Sequence, residues 1–64
     1  MLRASQEPVL FTDRGRAYDG IGRYQDALGD YDRAIARAPT DPVAYFNRGN
    51  AYFALGNTQR VTAG

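Results

Sequence analysis

The chain has 64 residues, eight basic against seven acidic, a net charge of +1, and so room for one small domain without the clustered basic face that a nucleic-acid footprint needs. Cysteine and histidine are both absent, which removes a disulfide framework, thiolate or imidazole metal ligation, a thiol nucleophile and the commonest general base. No apolar run approaches the roughly 18 residues of a membrane helix, and Met1 to Phe11 lacks the apolar centre of a signal peptide, so the expectation is a soluble, cytoplasmic chain without cofactor, metal or membrane partner, or a fragment of a longer protein whose address lies elsewhere.

Met1 to Glu7 is polar and mixed and reads as a loose leader. Pro8 suits the first turn of a helix, where its missing N–H costs nothing. Phe11, Gly15, Tyr18 and Ile21 then fall on one side at helical spacing until Gly20 and Gly22 interrupt them, with Gly22 as the expected left-handed residue. The second segment has the clearest pattern. Tyr24, Ala27, Leu28, Tyr31, Ala34, Ile35 and Ala38 step by three or four residues and form one apolar stripe, with Asp26, Asp30, Asp32, Arg33 and Arg37 on the other faces and Pro39 as its stop.

Asp41 is a good N-cap and Pro42 a good first helical residue, so a third helix is expected from Pro42 to Leu55, with Tyr45, Gly49, Tyr52 and Leu55 turned toward its neighbours. Gly56-Asn57 should end it, leaving in Thr58 to Gly64 only the stub of a fourth helix.

The chain repeats itself with a period of 34 residues. Phe11-Thr12-Asp13-Arg14-Gly15-Arg16-Ala17-Tyr18 returns as Tyr45-Phe46-Asn47-Arg48-Gly49-Asn50-Ala51-Tyr52, and Pro8/Pro42 and Gly22/Gly56 keep the same frame. A fixed period of this size marks a solenoid, whose units bury their apolar faces against one another. The pattern resembles the tetratricopeptide repeat, a helix–turn–helix module. The first unit supplies Phe11, Gly15 and Tyr18, then Ala27, Tyr31, Ala34 and Pro39; the second supplies Tyr45, Gly49 and Tyr52 and breaks off. Arg14 and Arg48 depart from the family's usual Leu, and Val61 stands where a small Ala is expected.

The resemblance implies an all-α fold of antiparallel helix-turn-helix repeats, a short α-solenoid. After the loose residues 1–7 it divides the chain into a complete unit, 8–41, and a truncated one, 42–64. With fewer than the roughly three units such arrays need, the isolated chain is expected to be marginal or self-associating.

In such arrays the first helix of each unit lines a concave groove. The resemblance therefore implies a protein or peptide ligand on Thr12, Arg16 and Asp19 of the first helix and Phe46, Asn50 and Phe53 of the third. Family members that clamp a partner's C-terminal carboxylate use Lys and Asn there; Asn47 holds one such place, but Thr12 and Arg16 stand where a Lys and an Asn are wanted. Asp26 and Asp30 lie four apart on one face, but a hard cation wants six or more oxygen ligands, and solvated helix surface is the expectation. Arg14 and Arg48 are expected to make surface ion pairs, and the five Tyr residues to pack.

No nucleophile stands beside a base, so no catalytic residue is assigned and the chain is not expected to be an enzyme. The expected function is a non-catalytic protein-interaction module. The alternatives are a remnant of a longer array, or a homo-oligomerisation unit joined through the uncovered face of the third helix.

Overall fold

The computed structural model describes residues 7–63, with side chains to residue 57. Within these residues the chain forms α1 (Glu7–Gly20), α2 (Tyr24–Arg37) and α3 (Pro42–Ala63). Glu7 opens α1 and does not belong to a loose leader; residues 1–6 lie outside the described residues.

Local chemistry sets the two turns. α1 ends in a paired hydrogen-bond arrangement: the Arg23 N–H donates to the Tyr18 carbonyl (2.9 Å) and the Gly22 N–H to the Asp19 carbonyl (3.1 Å). This cap needs a left-handed residue, and Gly22, with φ of 81°, supplies it. Where an apolar side chain usually closes such a cap, the Arg23 guanidinium lies 5.2 Å from the centre of the Tyr18 ring. Ile21, expected on the packed stripe, is 69% exposed at the tip of this turn. α2 stops at Arg37 because Pro39 disfavours helical geometry in the residue before it. Asp41 then caps α3, accepting the Val43 N–H at 3.0 Å.

The helices lie side by side in an elongated body of 46 × 21 × 12 Å. α2 lies in the middle and packs against both α1 and α3, which barely meet each other. Ala27, Leu28, Tyr31 and Ala34 of α2 are buried together with Ala44 and Ala51 of α3, and Tyr18 and Leu55 close against this core. The ends of α1 and α2 are tied by Arg37, which approaches Glu7 at 3.6 Å and sits 4.7 Å from the centre of the Phe11 ring.

The second unit departs from expectation. α3 does not end at Gly56-Asn57 but continues to Ala63, so the stub of a fourth helix is absent from the described residues. Gly56 shares the 34-residue frame with Gly22 but lacks its positive φ, and Ala54 replaces Gly20. Among the described residues no helix folds back after Gly56, and the hydrogen-bonded helix continues.

Candidate interaction surface

Because α1 and α3 share one sequence frame but lie on opposite sides of α2, they offer it different faces. α1 turns Pro8, Thr12 and Gly15 inward. At Gly15 the approach is close: a Cβ there would stand 2.6 Å from Cε1 of Tyr31, so the missing side chain is what lets the Tyr31 ring lie flush on the α1 backbone. α3 turns in the opposite face, Ala44 and Ala51, both fully buried. Its own equivalents of the inward α1 residues, Pro42, Phe46 and Gly49, point to solvent.

Several expected positions change accordingly. Thr12, expected on an exposed groove, is 7% exposed, and its hydroxyl has no hydrogen-bond partner among the described residues. It sits on the face that α2 covers. Tyr45, Gly49 and Tyr52 were expected to pack between repeats but are exposed, and nothing lies within 4 Å of where a Gly49 Cβ would be. Among the described residues no second helix of that unit lies against them. Gly15, Ala27, Tyr31 and Ala34 are buried, Phe11 and Tyr18 are half-buried, and Pro39 is exposed in the loop after α2.

Of the remaining groove candidates, Arg16 and Asn50 are exposed and Asp19 is half-buried. Phe46 and Phe53 are 69% and 72% exposed. They stand seven residues apart on one line of α3, so both rings reach solvent on the same side. Beside them run Tyr45 and Tyr52, 42% and 54% exposed.

Electrostatics bind the outer helices to α2. The Arg14 guanidinium grips Asp30 in a two-pronged pair, Nε to Oδ2 and Nη2 to Oδ1, each 2.7 Å, and Arg33 Nη1 adds a third bond at 2.9 Å. Asp30 is 1% exposed, so the reading of this acid as solvated surface is overturned. The bonds from Arg14 hold the Asp30 carboxyl below the usual carboxylate range, against the opposing effect of burial. Arg48, in the same frame position, instead reaches Asp32 at 2.9 Å, on the outer edge of α2. The two arginines that replace the family's Leu thus each find an acid on the central helix. Asp26 accepts a bond from Arg23 at 2.7 Å. Among the described residues no group of acids converges as metal ligands would.

Tyr31 lies at the centre, fully buried, with no partner for its hydroxyl among the described residues. Burial is the main reason its ionisation is pushed above the ordinary tyrosine value.

Sequence reasoning missed Ala44, Ala51 and Asp30. The alanines carry a signal, being seven apart with Leu55 four further on, on the face opposite Gly49. Asp30 carries none without knowledge of where Arg14 lies. No described helix is long and apolar enough to cross a membrane.

No curated protein and no solved structure gives a significant match to the chain. The family model of the TPR repeat matches residues 15–56, which is 42 of the 64 residues and takes in the Gly15 contact, the Gly22 turn, all of α2 and most of α3. With that match in register with the helix–turn–helix geometry and the glycine–tyrosine packing, the chain belongs to the tetratricopeptide repeat family, whose members in general serve as protein-interaction modules.

Proposed function

We propose that the chain is a non-catalytic protein-interaction module that receives a peptide or protein segment on a shallow surface. Phe46 and Phe53 are its apolar anchors, and Asn50 and Arg16 its orienting polar groups. The observation that carries this reading is the exposure of Phe46 and Phe53, 69% and 72%, on the first helix of the second unit. Rings held on a rigid helix lose little conformational freedom on binding, and aromatic side chains are enriched among the residues that dominate binding energy. Asn50 lies between the two rings in sequence and is exposed, which supports a role in bonding the backbone of a bound segment.

The test is selection of a random-peptide display library on the immobilised chain, followed by affinity measurement on the enriched peptides. Expected are peptides with apolar residues at regular spacing whose binding weakens at least tenfold in both Phe46→Ala and Phe53→Ala. Enriched peptides that bind both variants as well as the parent would overturn the reading.

A further inference from the structure

The exposed side of α3 is more than a pair of phenylalanines. Pro42, Gly49 and Gly56 recur every seven residues, Tyr45 and Tyr52 stand seven apart on one flank of that line, and Phe46 and Phe53 stand seven apart on the other. At 3.6 residues per turn these seven residues cover about 120° of the helix surface, and none is charged. The result is a furrow floored by proline and glycine and walled by rings. A seven-residue period keeps such a stripe nearly straight along the helix, as a helix–helix seam requires.

The chain itself shows what this kind of furrow holds. Pro8, Thr12 and Gly15, in the same frame as Pro42, Phe46 and Gly49, are buried under α2, with the Tyr31 ring against Gly15. On α3 the same floor is open, and no residue described on the chain covers it.

We propose that the occupant is a second copy of this chain, packed α3 against α3 about a two-fold axis at Gly49. This deepens the interaction-module reading and rests on it, naming the partner. Three observations select a second copy. First, the rings are centred on Gly49, at positions 45 and 46 before it and 52 and 53 after it, so reversing the helix direction lays ring positions over ring positions. Isologous pairing needs that self-complementarity. In an antiparallel arrangement the tyrosine flanks meet each other, the phenylalanine flanks meet each other, and Gly49 meets Gly49.

Second, the only charge on α3 between Pro42 and Asn57 is Arg48, which is already engaged by Asp32, so two copies approach without like charges in the seam. Third, the area suffices. Aromatic side chains bury about 150–250 Å² each, so four rings exposed by 42–72% leave roughly 500 Å² per protomer and about 1,000 Å² per pair, about where specific interfaces begin.

The experiment is sedimentation equilibrium on the full chain over a wide concentration range, with circular dichroism on the same samples, for the parent, Gly49→Glu and Gly49→Cys. Nothing lies within 4 Å of a Cβ at Gly49, so both variants fit the protomer. Expected are a reversible monomer–dimer equilibrium for the parent and a monomer of undiminished helicity for Gly49→Glu. On mild oxidation Gly49→Cys should give a covalent dimer, and Asp13→Cys, on the exposed surface of α1, should not. A parent that stays monomeric throughout, forms open-ended polymers, or dimerises as well with Glu at position 49 overturns the second-copy inference. The interaction-module reading is decided separately, at concentrations where the parent is a monomer, by whether library peptides bind it and weaken at least tenfold in Phe46→Ala and Phe53→Ala.

Discussion

α1 and α3 begin from nearly the same sequence and end in different surroundings. Gly15 is pressed against a buried ring, whereas Gly49 faces open space. Thr12 is sealed in and Phe46 is exposed; Ala51 is fully buried, and Ala17, its counterpart on α1, is exposed. What a repeat residue does is therefore set less by its type than by which neighbour lies on its side. α2 covers the following face of α1 and the preceding face of α3, so each outer helix leaves open the face that the other has closed.

Paired substitutions, one on a packed side and one on an open side, sharpen that contrast. The largest difference is expected between Tyr31→Ala and Tyr52→Ala. Emptying the fully buried Tyr31 site should cost about 3–5 kcal/mol and unfold the chain, whereas Tyr52→Ala should stay within about 0.5 kcal/mol in dilute solution, as read by urea denaturation. Next come the glycines. Gly15→Ala should destabilise by about 1–3 kcal/mol because its Cβ meets a ring that has nowhere to move. Gly49→Ala should stabilise by about 0.5–1 kcal/mol through helix propensity alone. Equal effects from the two glycine variants would break the comparison.

The acids on α2 give a smaller difference. Asp30→Asn removes the charge that three arginine bonds share and should cost about 1–3 kcal/mol, whereas Asp32→Asn, on an exposed pair, should barely move the thermal midpoint. The same pair predicts an acid limb. The folded state holds the Asp30 carboxyl below its unfolded value, so its contribution is complete above about pH 4 and lost as the pH falls below that toward the folded value. In Asp30→Asn the acid limb should flatten.

The smallest effect concerns the Tyr31 hydroxyl. Its folded-state ionisation lies above the ordinary value of 10.0, so the folded chain keeps a proton that the unfolded chain releases, and stability should fall as the pH rises above about 10. Tyr31→Phe removes a buried hydroxyl without a partner and should be neutral or slightly stabilising at pH 7, with a weaker alkaline decline in a pH series of thermal melts.

Much of the fold was legible in the residues because it is local. The Gly22 cap, the Asp41-Pro42 helix start, the stop before Pro39 and the apolar stripe of α2 each depend on chemistry within a turn or two of chain. The 34-residue period named the repeat because it is carried by residue identities and needs no contact to be read. The candidate surface was half legible. The resemblance puts Phe46, Phe53 and Asn50 on open helix surface, where they lie, but it puts Thr12 there too, and Thr12 is buried, because a groove position is exposed only where no helix lies over it.

The sequence by itself determined the starts of α2 and α3 and the turn at Gly22, because capping chemistry acts over a few residues, and the repeat family, because its period is written in residue identities. Only the tertiary structure decided which face of α3 meets α2, that Asp30 is buried under Arg14, and that α3 runs past Gly56 to Ala63. Each of these depends on the presence or absence of a helix many residues away. The glycine face is packed at Gly15 on α1 and, among the described residues, open at Gly49 on α3 for that reason.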